Sequence, residues 1–207
     1  MDFKKDHRKD RGRFAPSVIF QRLCRRILLV HGVRSRLRLL GWRLRGARVG
    51  RCTWLPPRVL ATWPHQVQLG ARCVLQPDVF FNYDHYWTPG PSMIFGDRVF
   101  IGRGTEFNIR GRLVVGDDCL IASGCTFIDA DHGREPGTPM NRQEPLVAPI
   151  QLGNNVWIGA RSIILKGVSI GDDAVIGAGS VVTRDVPSGE TWAGVPARRI
   201  LSPGSKE

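Results

Sequence analysis

A repeat of six residues between Leu152 and Pro187 constrains the fold of this chain more than any other feature of its sequence. Divided into sixes, the stretch reads LGNNVW, IGARSI, ILKGVS, IGDDAV, IGAGSV and VTRDVP. Each hexad begins with an aliphatic residue, usually followed by a small one, and its fifth position is always small or β-branched. The aliphatic positions are Leu152, Ile158, Ile164, Ile170, Ile176 and Val182.

This period matches neither an α-helix, which repeats every ~3.6 residues, nor the alternation of an ordinary strand. It is typical of short strands joined by tight turns, with three hexads completing one coil of a parallel β-helix. An antiparallel sheet would instead need hairpin turns at variable spacing. The sequence therefore predicts an all-β solenoid in which the aliphatic residues stack inside and Gly, Asn and Asp form the corners.

The repeat extends over most of the chain, with two interruptions. It begins loosely at Val49, breaks over residues 82–94, resumes at Phe95 and stops again over residues 129–149. The second interruption is an excursion of about 20 residues, and a loop this long within a compact domain is usually functional. We therefore predict a β-helix domain over residues 49–200, followed by a short tail over residues 201–207.

Positive charge is concentrated before this domain. Residues 1–48 hold 15 Lys and Arg against three Asp, which accounts for the whole net charge of +12. We expect a disordered polar arm at the start. Apolar residues then recur with helical spacing over Ser17–His31, and a further basic stretch carries Leu37, Leu40 and Leu44 at helical spacing.

Two interpretations of this basic segment are open. An Arg-rich amphipathic helix is typical of contact with an anionic membrane surface. Alternatively, its apolar face caps the solenoid and the arginines are simply solvated. Nucleic acid is not expected as a partner, because neither an RNA-binding motif nor zinc-finger spacing accompanies the charge.

The cysteines and the apolar runs indicate a cytoplasmic protein. The five cysteines include no C-x-x-C pair, and Cys73, Cys119 and Cys125 fall on the fifth hexad position, where we expect them to pack at corners. No apolar run approaches the ~18 residues of a membrane-spanning helix. Arg25 interrupts the one apolar stretch that resembles a signal sequence. If residues 1–48 bind lipid, the protein is expected to be peripheral at the inner face of the membrane.

The C-terminal coils resemble a known family. The segments VWIGARSIILKGVSIGDDAVIGAGSVVTRDVP and AGVPARRI are similar to the CoA-binding coils of the hexapeptide-repeat acyltransferases, among them the maltose, galactoside and surface-polysaccharide acetyltransferases. The resemblance covers most of residues 49–200. It implies a left-handed β-helix, a homotrimer with active sites at its subunit interfaces, and acetyl-CoA as the acyl donor.

The resemblance also implies a catalytic base. In this family a histidine at the start of the protruding loop is the general base, and His132 occupies that position here. An imidazole can take a proton from a sugar hydroxyl as the hydroxyl attacks a thioester. Because neighbouring side chains of an extended chain alternate, we expect Asp129 or a backbone carbonyl, rather than Asp131, to orient the ring.

Two residues are expected to contact the acceptor. Asn108 matches an asparagine that binds the acceptor in related sugar acetyltransferases, although it is equally well interpreted as a corner residue in a left-handed turn. His85, in the first interruption, is the second histidine expected near the acceptor. The relatives carry a carboxylate further along the same coil, and the segment IRGRLVVGDD has no obvious equivalent.

The donor site is predicted along a groove between neighbouring coils, where small residues let the pantetheine arm lie against the main chain. Because Ala160 stands where some relatives have serine, only its backbone N–H is available to stabilise an oxyanion. The residues implied to contact the donor are Trp157, Gly159, Ala160, Ala178, Thr183, Arg184 and Arg198.

These features together predict an acetyl-CoA-dependent O-acetyltransferase acting on a saccharide hydroxyl, in surface-polysaccharide or glycolipid biosynthesis. The alternatives are an N-acetyltransferase of an amino sugar or a xenobiotic, and a non-catalytic trimeric scaffold associated with the membrane. No metal is expected, because His65, His85 and His132 are too dispersed for the three-histidine zinc site of the related carbonic anhydrases.

Overall fold

The structure, a computed structural model, describes residues 32–200. The compact unit to which these residues belong, from Ser35 onward, is a left-handed parallel β-helix with three flat faces. The predicted polar arm, the helical segment Ser17–His31 and the tail 201–207 lie outside the described residues.

Each face of the β-helix is one sheet, and the chain visits the sheets in the order A, B, C in every coil. Sheet A contains β1 (Arg48–Val49), β3 (Val67–Leu69), β6 (Met93–Phe95), β9 (Leu113–Val115), β14 (Ile150–Leu152) and β17 (Ser169–Ile170). Sheet B contains β4 (Val74–Leu75), β7 (Phe100–Ile101), β10 (Leu120–Ile121), β15 (Trp157–Ile158), β18 (Val175–Ile176), β20 (Thr191–Gly194) and β21 (Ala197–Arg199). Sheet C contains β2 (Leu60–Ala61), β5 (Phe80–Tyr83), β8 (Glu106–Ile109), β11 (Thr126–Ile128), β16 (Ile163–Ile164) and β19 (Val181–Val182).

Five further elements lie off the coils. The excursion contains the antiparallel pair β12 (Ala130–Asp131) and β13 (Leu146–Val147) and a short 3-10 helix, Met140–Arg142. A second 3-10 helix, Pro64–Gln66, precedes β3. An α-helix, α1, occupies residues 32–44.

The aliphatic hexad positions form the interior, as the repeat predicts. Ile158, Ile164 and Ile176 are among the fully buried residues. Inside sheet C, the rings of Phe81, Phe107 and Phe127 stack with centroid separations of 5.1 and 4.9 Å. Burying one such side chain contributes about 1.5–3 kcal/mol, so the stacked column is a main source of stability.

Where glycine follows the aliphatic position, the next coil leaves no room for a side chain. A Cβ atom on Gly159 would lie 2.5 Å from the backbone nitrogen of Ala178, and one on Gly177 would lie 2.7 Å from Cβ of Ala193. These distances are far shorter than van der Waals contact. The glycines therefore let successive turns stack at the spacing that the parallel ladders impose.

A ladder of side chains closes the corner between sheets A and B, here called the A–B corner. The carboxylate of Asp97 accepts a 2.7 Å hydrogen bond from the backbone N–H of Ala71 in the preceding coil. In the same way, Asp117 accepts from Asp97 N–H at 2.7 Å and Asn154 accepts from Asp117 N–H at 2.9 Å. Asp172 continues the series by accepting from Asn154 N–H at 2.6 Å. Each coil thus satisfies a donor of the coil before it.

Helix α1 packs on the first coils through one face only. Leu39 and Trp42 are buried, and the Trp42 ring meets Phe81 edge-on with a centroid separation of 5.9 Å. The Ser35 hydroxyl accepts a 3.0 Å hydrogen bond from the backbone N–H of Leu55. Residues 35–44 therefore pack on the solenoid through Ser35, Leu39 and Trp42.

The leucines at helical spacing occupy the other face of α1. Leu37, Leu40 and Leu44 are 63%, 52% and 80% exposed, so they do not form the capping contact. Their spacing correctly predicts a helix but does not identify its packing face. Within residues 32–200, no helix is long and apolar enough to cross a membrane.

The three cysteines on the fifth hexad position are buried, which confirms their predicted corner-packing role. The Cys119 thiol donates to the Gly153 carbonyl at 3.1 Å, and the Cys125 thiol donates to the Gly159 carbonyl at 3.2 Å. Burial raises the pKa of Cys119 to about 11 and also raises the pKa values of Cys73 and Cys125. All three are held as unreactive thiols.

Candidate functional site

The predicted acceptor residues lie along the corner between sheets C and A, here called the C–A corner. Within the sheet C ladder, Asn82 pairs with Asn108 and Asn108 pairs with Ile128. Two coils further on, Thr183 follows β19 directly. Because neighbouring strands are about 4.8 Å apart, Asn108 and Thr183 are separated by about 14 Å along the same edge.

Asn108 is a strand residue. It lies in β8, its side chain is half-buried, and its backbone is not left-handed, so the corner interpretation is wrong. Its Oδ1 atom accepts a 3.0 Å hydrogen bond from Nδ2 of Asn82. Asn82 was not identified from the sequence. The available signal was its position as the first residue of the interruption over residues 82–94.

His132 lies at the base of the excursion, directly after β12. Its side chain is exposed, and it makes no hydrogen bond with any residue between 32 and 200. The adjacent Asp131 is turned toward another coil, with its carboxylate 3.6 Å from Nζ of Lys166. Within residues 32–200 of one chain, the His132 imidazole is therefore open to solvent beside the C–A corner.

Asp129 does not orient His132, contrary to the sequence-based expectation. Its buried carboxylate accepts hydrogen bonds of 2.7, 2.8 and 2.9 Å from the backbone N–H groups of Arg110, Gly111 and Arg112. Burial raises the pKa of this carboxyl, and the three hydrogen bonds partly oppose that effect. Asp129 instead fixes the turn after β8.

The excursion is organised around one side chain. Gln143 Oε1 accepts a 2.8 Å hydrogen bond from the Glu135 backbone N–H, and Nε2 of Gln143 donates to the carbonyls of Glu135 and Thr138 at 3.0 and 2.6 Å. A Cβ atom on Gly133 would come within 2.4 Å of the Gln143 amide oxygen. The segment that follows His132 is therefore ordered by a compact hydrogen-bonded turn.

His85 lines a cavity of about 440 Å³ beside Asn82. The loop between β5 and β6 forms one wall, and Arg110 enters from the next coil, with Nη1 donating to the Asp84 carbonyl at 3.1 Å. The other lining residues are Thr62, Trp63, Tyr83 and Tyr86. Asn108, by contrast, does not line this cavity directly.

The predicted donor residues divide into two groups. Gly159, Ala160 and Ala178 lie at the corner between sheets B and C, here called the B–C corner. Thr183 and Arg184 are exposed at the C–A corner. Ala178 and Thr183 are five positions apart along an extended stretch of chain, which places the two groups about 16 Å apart, so one chain does not bring them together.

The B–C corner differs from the A–B corner in its hydrogen bonding. Among residues 32–200, the backbone N–H groups of Ala160 and Ala178 donate no hydrogen bond, and no side-chain ladder covers them. Trp157 is 53% exposed on β15, just before this corner. An extended ligand with carbonyl groups would find unpaired donors and a narrow, glycine-lined surface here.

Arg198 lies on β21, in the hairpin that follows the last full coil. Its side chain is exposed, and Nη1 donates to the Ala197 carbonyl at 2.8 Å. The Arg198 guanidinium is therefore available to an anionic group at the edge of sheet B that β21 forms. No group of three or more His, Cys, Asp or Glu residues able to hold a metal ion occurs within residues 32–200.

Comparison with known proteins gives consistent similarities. Residues 149–184 match the family described as the hexapeptide repeat of succinyl-transferase. Nodulation protein L of Rhizobium meliloti is 42% identical over 133 residues, which cover 63% of this chain and 68% of that protein. Galactoside O-acetyltransferase of Escherichia coli is 37% identical over 138 residues, which cover 64% of this chain and 62% of that protein.

Solved structures show the same architecture. A galactoside acetyltransferase in complex with coenzyme A is 29% identical, with a TM-score of 0.50, over 74% of this chain and 64% of that one. The chain spans 37–68% of the length of the first curated relatives it matches.

Proposed function

Because the chain belongs to the hexapeptide-repeat acyltransferases, we propose that it transfers an acetyl group from acetyl-CoA to a saccharide hydroxyl. The observation that carries this proposal is the position of His132, which is exposed at the C–A corner beside the coil of Asn108. A general base at this place can reach an acceptor held along the same edge.

In the proposed reaction, one imidazole nitrogen of His132 takes the proton of the acceptor hydroxyl as its oxygen forms a bond to the thioester carbonyl carbon. The negative charge that develops on the carbonyl oxygen is stabilised by the backbone N–H of Ala160. The carbon–sulfur bond then breaks, and the leaving thiolate takes up the proton from the imidazolium. The products are the acetyl ester and coenzyme A.

The donor is proposed to lie along the B–C corner. The unpaired N–H groups of Ala160 and Ala178 suit the amide carbonyls of a pantetheine arm, and Trp157 offers an exposed apolar face beside it. Thr183, Arg184 and Arg198 are proposed to contact the outer parts of the donor. The complex of a galactoside acetyltransferase with coenzyme A supports this choice of donor.

A homotrimer would bring the two corners together. In one chain they lie on opposite edges of sheet C, so a donor at the B–C corner of one subunit must meet His132 of a neighbour. An outward-facing apolar row on sheet B supports self-association, because Leu120, Trp157 and Val74 are 50%, 53% and 43% exposed. The parallel pairing of the strands places these three side chains in one row with two others: Val74, Phe100, Leu120, Trp157 and Val175.

The acceptor class is proposed from similarity to the galactoside enzyme, together with the amide pair of Asn82 and Asn108. The exposed leucines and arginines of α1 suit an acceptor at a membrane surface, as in surface-polysaccharide or glycolipid biosynthesis. We therefore propose that the protein is cytoplasmic and binds peripherally to the inner face of the membrane. An N-acetyltransferase of an amino sugar or a xenobiotic remains the alternative within the family.

The proposal is tested by measuring acetyl transfer from acetyl-CoA to sugars and amino sugars. The variant His132→Ala should lower turnover by about 100-fold or more, since it removes the base. Coenzyme A affinity, measured by calorimetry, should stay within about twofold of wild type, because His132 is not assigned to donor binding. A wild-type protein that binds no coenzyme A and acetylates no sugar would support the non-catalytic scaffold instead, whereas an unchanged turnover in the variant would contradict the role of His132 as the base.

A further inference from the structure

We propose that the cavity beside Asn82 is a second acceptor subsite, which holds the saccharide unit next to the one that is acetylated. This inference rests on the proposed function and adds that the natural acceptor is an oligosaccharide or glycolipid rather than a free monosaccharide. The cavity has a volume of about 440 Å³, within the range of about 300–1,000 Å³ that is typical of small-molecule sites.

The wall of this cavity is a fixed structure. In the loop after β5, the Thr88 carbonyl accepts a 2.6 Å hydrogen bond from Nε2 of the buried Gln66. The Thr88 hydroxyl is 2.8 Å from the hydroxyl of Tyr83, and Gly90 packs so closely on Gln66 that a Cβ atom would lie 2.6 Å from its amide oxygen. These contacts hold the backbone of the loop in place, which lowers the entropy cost of binding.

The side chains suit a sugar ring. Tyr86 is 84% exposed and Trp63 is 37% exposed, and both line the cavity together with the His85 ring. An aromatic face can cover the apolar C–H face of a pyranose, while the Tyr hydroxyl and the Trp N–H stay in contact with water. The Asn82 amide and the Asp84 carboxylate supply hydrogen-bonding groups for the ring hydroxyls.

The local charges favour a neutral sugar over a phosphate. Arg110 is the one Lys or Arg among the residues that line the cavity, and its Nη1 atom lies 3.6 Å from the carboxylate of Asp84. The cation is therefore compensated, and the cavity lacks the free Arg or Lys charge that strengthens phosphate binding.

The cavity is continuous with the proposed acceptor site. Asn82 lines the cavity and donates a 3.0 Å hydrogen bond to Asn108 in the next coil. Adjacent coils are separated by about 4.8 Å, a distance comparable to the length of one sugar unit. A chain of sugars lying across the coils would place one unit at Asn108 and the next in the cavity.

The test measures kcat/KM for methyl glycosides of glucose, galactose and mannose and for trisaccharides of the same sugars. Wild type should prefer the trisaccharide of whichever sugar it acetylates. Tyr86→Ala should reduce that preference by about 5- to 20-fold, mainly through KM, because a stacking face is lost. Trp87→Ala is the matched control, since Trp87 is 63% exposed on the same loop but does not line the cavity, and it should keep the preference.

Direct binding separates the two proposals. Wild-type protein without coenzyme A is applied to an array of bacterial surface oligosaccharides, and Tyr86→Ala should lose binding that Trp87→Ala retains. Equal kcat/KM for mono- and trisaccharides, or loss of array binding in both variants alike, would overturn the subsite while leaving acetyl transfer intact. Array binding that Tyr86→Ala loses, without acetylation of any sugar, would contradict the proposed function and leave the cavity only as a saccharide-binding site. No array binding and no trisaccharide preference would overturn the subsite.

Discussion

The carboxylate of Asp129 accepts a 2.8 Å hydrogen bond from the backbone N–H of Gly111, a residue 18 positions earlier in the chain. This contact ties the coil that carries the excursion to the coil that carries Asn108. It also shows that a carboxylate three residues before a proposed catalytic histidine has a structural role.

Asp129→Ala should lower the free energy of unfolding by about 1–3 kcal/mol, because three backbone N–H groups lose their acceptor. Urea denaturation measures the change. The control is Asp131→Ala, which removes a partly exposed carboxylate and should cost less than about 0.5 kcal/mol. Equal denaturation midpoints for the two variants would contradict the assigned role of Asp129.

The same substitution should change how stability depends on pH. Burial raises the pKa of the Asp129 carboxyl in the folded state above its usual value of 3.8. The folded state therefore takes up this proton at a higher pH than the unfolded chain does. Relative to Asp129→Ala, the wild-type free energy of unfolding should rise as the pH falls from 7 through the raised pKa toward 3.8. A constant difference across this range would contradict the pKa shift.

Alkylation should distinguish the cysteines. Cys52 is exposed, whereas Cys73, Cys119 and Cys125 are buried with raised pKa values. Since the thiolate is the reactive form, iodoacetamide at pH 8 should modify Cys52 in the folded protein and the other three only after unfolding. Peptide mapping by mass spectrometry gives the site of each modification. Rapid modification of Cys119 in the folded state would contradict its packing.

Two Gly→Ala substitutions should have opposite effects. Gly159→Ala places a methyl group 2.5 Å from the backbone of Ala178 and should destabilise the protein by about 1–3 kcal/mol. Gly41→Ala, in helix α1, meets no atom within 4 Å and should stabilise it by about 0.5–1 kcal/mol, because alanine favours the helix. Thermal unfolding of both variants tests the pair, and a stable Gly159→Ala protein would argue against the close stacking of these coils.

The membrane proposal is tested on vesicles. The double variant Leu40→Gln, Leu44→Gln should reduce binding to vesicles containing phosphatidylglycerol by about tenfold or more, because two exposed leucines no longer enter the lipid. Leu146→Gln, which alters a 57% exposed leucine of the excursion, should bind like wild type. If wild type does not bind these vesicles, or if the double variant binds equally well, α1 does not contact membrane.

The sequence was sufficient to predict the coils because their physics is local and repeated. Every aliphatic hexad position needs the same buried environment, so the burial of Ile158, Ile164 and Ile176 follows from one repeated pattern. The buried face of α1 was less accessible, since Leu37, Leu40 and Leu44 have the spacing of an apolar face although Leu39 and Trp42 make the contact. Which face packs depends on the surface it meets, and that surface belongs to distant residues.

The role of His132 as the base stays a prediction, but its position at the junction of regular coil and excursion was identifiable from the sequence. The role of Asp129 was not, because its partners at residues 110–112 belong to a turn in the previous coil. The cavity beside Asn82 depends on residues from three coils, among them Thr62, Tyr86 and Arg110, which no local pattern connects.

The self-contained turn around Gln143 has an evolutionary consequence. On either side of the excursion the strands remain in register, with Leu113 opposite Ile150 and Thr126 opposite Ile163. Mutation and selection can therefore exchange or lengthen this segment while the stack beneath it is left alone. Related proteins can thus evolve to modify different molecules while the β-helix that supports the excursion keeps its structure.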